Sequence, residues 1–389
     1  MRILYASERP PYPFFLGGAA RAAHMLLVRM AVRTDVDCAA MGSRDYTISP
    51  WRFPETGDHA TLGIRSVDPA HGTLDCGYPV CLLSDFHRAF AAEIERTRPD
   101  LVWSQLEGAL PVLQTAHRLG IKGLCYVHDA EFDRAEMRAI ASLNCHLVAS
   151  SGFLASKVRQ ATGRRAAVVY PPAELYFGTS GDARGAVTMI NPHKVKGIDT
   201  FLEIARQMPE QQFLLVESWK LDDEALTALQ ARLATLPNVR FQRRVSDMRE
   251  IYRQSRLLLA PSLWEEGFGM VAVESQSCGI PVIASERGGL PESVGDGGIL
   301  IRDYRNVDAW LRAIRSVLDE DAAYQAWSAR ALAHAHSPDF DADELGRRFL
   351  AVCNSAVPPA GVAAHGLHLT LNMLERLPVI GRLVRERRQ

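Results

Sequence analysis

The sequence predicts an α/β protein of two doubly wound domains that face a common cleft. Its 389 residues favour two domains, at roughly 150 residues per domain. Short β-rich runs alternate with helical patterns, which is typical of parallel sheets covered by helices. The alternation restarts after "YPPAELYFGTSGDARGA" (170–186), a stretch rich in Pro and Gly. We therefore place an N-terminal domain at 1–172, a linker at 173–182, a second domain at 183–350 and a helical tail at 351–389.

Six short β-rich runs are the expected strands of each domain. In the first domain they are "RILYAS", "DCAAMG", "LVWSQ", "GLCYVHD", "HLVASS" and "AAVVYPP". In the second they are "VTMINP", "FLLVES", "VRFQRRV", "LLLAPS", "PVIASE" and "GILIRD". Each half thus predicts a Rossmann-like parallel sheet, and the strand-to-helix loops of both sheets are expected to face the cleft.

Composition excludes several classes of function. With 44 Lys+Arg against 45 Asp+Glu, the chain lacks the overall positive charge that nucleic-acid binding needs. The seven scattered cysteines have no CxxC pair and indicate reduced thiols rather than a zinc site or disulfide framework. No apolar run reaches about 18 residues, and the apolar start "MRILYAS" is too short for a signal peptide. We expect a cytoplasmic protein that does not cross a bilayer.

A loop rich in carboxylates and glycines is the first candidate site. In "PSLWEEGFGMVAVESQSCGIPVIAS" (261–285) a short strand leads through Glu265, Glu266 and 267–269 into a helix, with another strand after it. Such a loop leaves the carboxyl end of its strand, where parallel sheets bind ligands, and its glycines let main-chain N–H groups approach an anion. Glu274 lies inside the apolar helix, where a carboxylate is uncommon unless it has a specific partner or function.

A cationic loop follows an earlier strand of the same domain. "MINPHKVKGIDTFLEIARQM" (189–208) places Lys196 beside Gly197 at a helix start, where charge and main-chain donors hold a phosphate together. Taken alone, Lys196 is equally typical of a solvated surface lysine. A cationic loop beside a carboxylate loop is what a nucleotide sugar requires, because its diphosphate needs positive charge and its hydroxyls need acceptors.

Glu266 and Glu274, with seven residues between them and "GGLPESVGDGGILI" after them, resemble the signature of family 4 retaining glycosyltransferases of the GT-B fold. The resemblance extends over most of residues 1–350. Its other motifs are "NPHKVKG", "DMREIYRQSRLLLAPS", "VASSGFLASKV", "AAVVYPPAELYF" and "LGGAARAA".

The resemblance implies roles for the second-domain residues. Glu274 would bind the ribose hydroxyls of the donor, and Glu266 would lie beside the transferred sugar. Lys196 would hold the diphosphate and act in catalysis with Glu266. The main-chain amides that approach the sugar and diphosphate would be those of Phe268, Gly269, Met270 and Val271.

Two departures from the family pattern affect the donor site. Asn191 stands where the family usually has an arginine, five residues before Lys196, so Lys194, Arg243 or Arg244 would have to supply the second charge. The family's glycine-rich segment after the next strand is replaced by "VESWK" (216–220). Recognition of the base therefore does not transfer, and the nucleotide stays open.

In the first domain the resemblance implies that Gly17 and Gly18, at the first helix start, allow close approach of the ligands. An ordinary helix-start turn is the alternative there. His128, at the end of "CYVHDAE", matches the family's strand-end histidine near the transferred sugar, although a lone histidine is more often structural. We assign it to the active site.

The expected reaction is retaining transfer of a sugar from a nucleotide sugar to a glycan, lipid-linked or small-molecule acceptor, by a hexosyltransferase-like enzyme. The candidate site loops carry no Asp-x-Asp metal motif, so neither a metal nor another cofactor is expected. The alternatives are a nucleotide-sugar epimerase, a phosphorylase, and a non-catalytic binding subunit of the same fold. The tail 368–389 has an apolar stripe with arginines at its end, which predicts either a helix packed on the first domain or peripheral contact with anionic lipid at the inner membrane face.

Overall fold

A computed structural model describes residues 1–47, 59, 62–68, 71–245 and 247–357. The strands of the first sheet are β1 (Arg2–Ser7), β2 (Asp37–Ser43), β3 (Ser66–Asp68), β4 (Thr73–Asp75), β5 (Pro79–Leu83), β6 (Leu101–Gln105), β7 (Lys122–Val127), β8 (Cys145–Ala149) and β9 (Ala167–Val168). Those of the second are β10 (Ala186–Ile190), β11 (Phe213–Val216), β12 (Val239–Gln242), β13 (Ser255–Ala260), β14 (Val282–Ser285) and β15 (Gly298–Ile301).

Helices connect these strands in chain order. In the first half they are α1 (Gly18–Ala31), α2 (Phe86–Thr97), α3 (Ala109–Arg118), α4 (Arg134–Ser142) and α5 (Gly152–Thr162). In the second half they are α6 (Ile198–Gln207), α7 (Asp223–Leu233), α8 (Arg249–Tyr252), α9 (Met270–Gln276), α10 (Leu290–Val294), α11 (Val307–Leu318), α12 (Asp321–Ala335) and α13 (Ala342–Asn354).

Two sheets form the layers predicted from the sequence. The first has the order β3-β4-β5-β2-β1-β6-β7-β8-β9, and the second has the order β12-β11-β10-β13-β14-β15. The strands are parallel except where β4 pairs with β3 and β5. In each sheet the order of the strands reverses beside the first strand, between β1 and β6 and between β10 and β13, which places a ligand crevice at those strand ends. The predicted α/β class of two doubly wound domains is confirmed.

The sequence pattern did not predict β3, β4 and β5. They are three to five residues long, and β3 and β4 have mixed or exposed burial patterns. Runs that short do not carry the continuous apolar stretch that marks a buried parallel strand. The resulting antiparallel hairpin extends the first sheet at one edge.

Helix α13 departs from the expected domain boundary. Residues up to 350 were assigned to the second domain, but α13 packs into the core of the first, beside α1. Its Phe349 ring lies 4.7 Å from Trp103 and 5.9 Å from Tyr126, centroid to centroid, and Arg29 of α1 pairs with Asp343 at 2.8 Å. The chain therefore crosses between the domains twice, once in the linker and once before α13.

The helices of the described ranges are all too short or too polar to span a bilayer. The predicted tail at 368–389 lies outside the described residues.

Candidate functional site

The Lys196 and Glu266 side chains meet at the carboxyl ends of β10 and β13. Nζ of Lys196 lies 2.6 Å from Oε1 and 2.8 Å from Oε2 of Glu266, and both side chains are 16% exposed. The hydroxyl of Ser262 donates to the same carboxylate at 2.9 Å. In this largely buried ion pair each side chain holds the other in position. Both charged groups therefore stay at the strand ends that face the cleft.

The loops that carry this pair are packed against each other. The main-chain N–H groups of Leu263 and Trp264 donate to the carbonyl of Val195 at 2.9 and 3.0 Å. Gly197 has a φ of +85°, and a Cβ at that position would lie 1.9 Å from the carbonyl oxygen of Pro261. Glycine is required there both by the backbone conformation and by this close approach.

The loop after β11 is organised by a buried carboxylate. Glu217 is 3% exposed on its side chain and pairs with Nε of Arg243 at 2.7 Å. It also accepts from the N–H of Leu221 at 2.9 Å and, more weakly, from the N–H of Arg244 at 3.5 Å. The expectation that Arg243 or Arg244 supplies the second phosphate charge thus meets a competing demand, because Glu217 already engages Arg243 and the main chain of Arg244.

The family pattern has a cation at position 191, whereas the Asn191 side chain contacts the main chain of a neighbouring loop. It is 6% exposed with a φ of +79°, and its Oδ1 accepts from the main-chain N–H of Trp219 at 3.3 Å. Its side chain therefore fixes the neighbouring loop. Lys194 begins the short 3₁₀ turn that ends at Lys196, and it is exposed.

The start of α9 lies at the cleft, as the sequence predicts. Gly269 has a φ of +94° and is the residue before the helix, with no side-chain cap. The N–H groups of Met270 and Val271 lie in the first turn of the helix, where main-chain donors are available to an anion. Phe268 is buried and packs on Tyr170, with ring centroids 4.7 Å apart. It anchors the loop and presents its main chain to the site.

Glu274 is buried on α9, and its surroundings come from both domains. Its Oε2 accepts from the hydroxyl of Tyr252 at 2.9 Å. Burial raises the pKa of the Glu274 carboxyl to about 7, while the charge of Arg21 on α1 and the Tyr252 hydrogen bond oppose that rise. Arg21 in turn pairs with Glu174 of the linker at 2.7 Å. This buried acid is therefore poised to change its charge near neutral pH.

His128 lies at the end of β7, held in one tautomer. Gln105 donates its amide N–H to the carbonyl of Ala19 at 2.9 Å, so its Oε1 faces Nε2 of His128, 3.0 Å away. That oxygen is an acceptor, so Nε2 carries the proton and Nδ1 a lone pair. Burial lowers the pKa of His128 to about 3, which keeps the ring neutral.

Charged groups of the first domain border the same cleft. Arg9, in the loop after β1, pairs with Glu107 at 2.7 Å and lies over the Phe15 ring at 5.0 Å. Asp129 follows His128; protein packing around its carboxyl, with Glu107 nearby, raises its pKa, while Arg9 and Lys196 lower it. Charges of both domains therefore act on the Asp129 carboxyl.

Direct contacts also join the domains around the site. A Cβ on Gly267 would lie 1.8 Å from the carbonyl oxygen of His128, and Gly18 approaches the Met270 sulfur at 3.8 Å by the same measure. Lys157 on α5 pairs with Glu265. The conformation is therefore a closed one, with Lys196, Glu266 and His128 brought to one cleft.

Glu292 on α10 was not singled out by the sequence. Its carboxylate accepts from the N–H groups of Gly152 and Phe153 at 2.7 and 2.9 Å, capping α5 of the other domain. The signal was present in "GGLPESV", but the partner helix is 140 residues away in the chain and only the fold shows it. Trp219 and Arg9 were likewise given no role from the sequence.

Within the described ranges, no three His, Cys, Asp or Glu side chains are grouped so as to hold a metal ion. The expected absence of a metal or other cofactor stays a prediction.

Comparison with known proteins gives the class of the fold. Crystal structures of Anabaena HepE in complex with UDP and glucose and of sucrose-phosphate synthase from Thermosynechococcus elongatus are similar to this chain. Their TM-scores are 0.71 and 0.69 at 18% and 15% identity, over 91% and 90% of this chain and 99% and 98% of theirs. The fold is GT-B, two facing Rossmann-like domains, as predicted.

Sequence comparison finds similarity over part of the chain. Residues 187–334 match the family model of glycosyl transferases group 1. D-inositol 3-phosphate glycosyltransferases are similar to this chain: that of Rhodococcus opacus is 30% identical over 266 residues, 59% of this chain and 58% of the relative. That of Mycobacterium sp. strain KMS is 29% identical over 244 residues, 55% of each. The chain therefore spans little more than half the length of these relatives.

The match of residues 187–334 to the model of glycosyl transferases group 1 agrees with the resemblance found in the sequence. The finer assignment to family 4 and the role of each site residue stay predictions.

Proposed function

We propose that this protein is a retaining glycosyltransferase that moves a sugar from a nucleotide-sugar donor to a polyhydroxylated acceptor. One observation carries the proposal: Glu266, which pairs with Lys196, is followed by Gly267, which lies against the main-chain carbonyl of His128 of the first domain. These three groups lie at the carboxyl ends of the strands, where doubly wound sheets bind ligands. The match of residues 187–334 to glycosyl transferases group 1 supports it.

The main chemical task is to stabilise the departing nucleoside diphosphate while the sugar becomes cation-like. Lys196 is the cation for that charge, and the N–H groups at the start of α9 add fixed donors. Glu266, which holds Lys196 at 2.6 Å, would then turn to the hydroxyls of the transferred sugar. The neutral His128 ring offers a lone pair at Nδ1 to a sugar hydroxyl. We expect no metal to be needed.

UDP is the nucleotide we propose to test first. The structures of Anabaena HepE contain UDP with glucose and UDP-glucose. Glu274 would accept the ribose hydroxyls as a carboxylate, which is common to all ribonucleotides and does not select the base.

The acceptor is proposed to be rich in hydroxyl groups. The first-domain wall carries the carboxylates of Glu107 and Asp129 as acceptors for such hydroxyls. The guanidinium of Arg9, which pairs with Glu107 in this conformation, would have to exchange that partner for an anionic group of the acceptor. The curated relatives are named for D-inositol 3-phosphate, a compound that combines both features. A small polyol phosphate or a lipid-linked sugar would fit the same chemistry.

The tail at 368–389 bears on the choice between these acceptors, because contact with a membrane would favour a lipid-linked sugar over a small polyol phosphate. We propose that its arginines contact anionic lipid at the inner membrane face. Sedimentation with liposomes that contain anionic lipid, for the whole chain and for a deletion of 368–389, tests this. Salt-sensitive binding that is lost with the tail supports it, and no binding by the intact chain rejects it.

A donor screen tests the proposed function. Thermal shifts with UDP-, GDP-, ADP-, dTDP- and CMP-sugars find the donor, because a ligand of the native state raises the melting temperature. Incubation with that donor and an acceptor mixture should yield a glycoside with the donor's anomeric configuration. Epimerised donor without acceptor would favour an epimerase, phosphate-dependent cleavage a phosphorylase, and binding without any turnover a non-catalytic subunit.

A further inference from the structure

An exposed aromatic ring lies beside the phosphate-binding lysine. The indole of Trp219 is 47% exposed, although a large aromatic side chain is usually well buried. The ammonium of Lys196 lies over the ring, 4.8 Å from its centroid. The Trp219 face therefore borders the donor half of the cleft and is open to a ligand.

The loop that presents Trp219 is built to hold it in place. Asn191 accepts from the main-chain N–H of Trp219, and Glu217 closes the loop by accepting from the N–H of Leu221. The His193 ring packs on the indole at 5.2 Å. Preorganisation of this kind lowers the entropy cost of stacking a ligand on the ring.

A buried polar atom beside the indole is left without a protein partner. Among the residues that the structure describes, none bonds to Nε2 of His193. Burial lowers the pKa of His193 and favours the neutral ring, while a hydrogen bond to the main chain of Trp219 opposes that shift. The ammonium of Lys196 and the imidazole of His193 thus both lie against the ring of Trp219.

Depth in the cleft indicates which part of the donor reaches the indole. Glu266 is 16% exposed and His128 is held beneath Gly267, so the transferred sugar belongs deep in the cleft. Lys196 contacts Trp219 as well as Glu266, and the exposed Trp219 lies at the rim of the cleft. The part of a nucleotide sugar farthest from the reacting carbon is its base, and the base is also its only aromatic ring.

We propose that Trp219 is the platform on which the base of the donor nucleotide stacks, and that Asn191 positions it. This inference rests on the proposed function. It also accounts for the replacement at 191: the side chain that could have carried a phosphate charge instead fixes the aromatic platform. Stacking on an aromatic face tolerates any base, so affinity comes from Trp219 and base choice from other groups.

Binding of UDP, GDP, ADP and inorganic pyrophosphate to the full-length protein, measured by calorimetry, tests the proposal. Trp219→Ala should weaken the nucleoside diphosphates by about tenfold or more and leave pyrophosphate unchanged. Trp219→Phe should retain most of the affinity, because the ring face is kept. The matched control is Trp327→Ala, since that indole also stacks with a cation, Arg330 at 4.9 Å, but lies beside Gly298 at the opposite edge of the sheet.

Each other outcome overturns the proposal. Equal loss of UDP and pyrophosphate would mean that Trp219 acts only by positioning Lys196. Loss of UDP-sugar affinity with normal UDP affinity would make the indole a platform for the sugar. If Trp219→Ala changes nothing while wild-type protein binds UDP, the stacking role is wrong and the proposed function stands. If no nucleotide binds wild-type protein, the proposed function fails first and the inference falls with it.

Discussion

The carbonyl oxygen of His128 lies where a side chain on Gly267 would begin: a Cβ there would be 1.8 Å from that oxygen. The two residues belong to different domains, so the main chains of the two halves of the site touch directly. A methyl group at 267 cannot enter this contact without moving the domains apart.

Gly267→Ala should therefore reduce kcat by about tenfold or more, since a shift of about 1 Å at a reacting centre has that effect, while the protein remains folded. Steady-state kinetics and a thermal melt check both parts. Gly120→Ala is the control, because Gly120 has a φ of +71° but open space around its Cβ position. That variant should lower stability by about 1–2 kcal/mol, because a Cβ disfavours the left-handed conformation, and keep normal turnover. Normal turnover by Gly267→Ala would contradict the closed conformation as the active one.

Glu292 is expected to act as a latch between the domains. Its carboxylate caps α5 through Gly152 and Phe153, so Glu292→Ala leaves two helix-start N–H groups without that partner. We expect a loss of about 1–2 kcal/mol from the closed state, seen as weaker donor binding and a larger radius in solution scattering.

The matched control for that latch is Asp133→Ala, which removes the cap of α4 within one domain. It should lower the melting temperature to a similar extent without changing donor affinity or the scattering curve. If the two variants behave alike, Glu292 stabilises its helix and does not govern closure.

Parts of the site could be predicted from the sequence because they depend on the order of strands, loops and helices along the chain. Lys196 and Glu266 each lie in a loop that leads from a buried strand to a helix. Because the strands are parallel, such loops meet at one edge of the sheet. The orientation of Asn191 did not follow, since it depends on a positive φ and on the N–H of Trp219, 28 residues later. The apolar face of α13 indicates a packed helix. The domain on which it packs could not be predicted, because its Phe349 contacts Trp103 and Tyr126, which lie far away in the sequence.

Lys196 and Glu266 should differ in what their loss affects. Lys196→Ala removes the cation for the diphosphate, so donor affinity and turnover should each fall at least tenfold, corresponding to about 1.5–3 kcal/mol for a charged hydrogen bond. Glu266→Gln should lower kcat more than donor affinity, because its contact is with the reacting sugar.

Donor titrations and kcat measured on both variants decide this. Lys122→Ala is the control, as its ammonium binds the carbonyls of Cys353 and Ser355 behind the first sheet. Wild-type kinetics for Lys196→Ala at subsaturating donor would place the donor site elsewhere.

The pH dependence of stability should report the buried Glu274 carboxyl. Burial raises its pKa from the ordinary value of 4.5 to about 7 in the folded protein. Between these values the folded state holds a proton that the unfolded state has released, so the free energy of unfolding falls as pH rises through this window. Glu274→Gln lacks this group and should gain up to about 3 kcal/mol relative to wild type at pH 8, with little difference near pH 4.5.

Donor binding should show the opposite pH trend, because the ribose hydroxyls need the ionised carboxylate as acceptor. Wild-type affinity for UDP is expected to rise as pH passes through about 7, since burial raises the pKa of the Glu274 carboxyl to about 7, and Glu274→Gln should bind weakly at every pH. Tyr252→Phe removes the hydroxyl that donates to Glu274 at 2.9 Å and that lowers its pKa, so the midpoint should move to higher pH. Arg21→Gln should move the midpoint in the same direction, because the guanidinium also favours the carboxylate. A midpoint that stays fixed in both variants would show that another group controls donor binding.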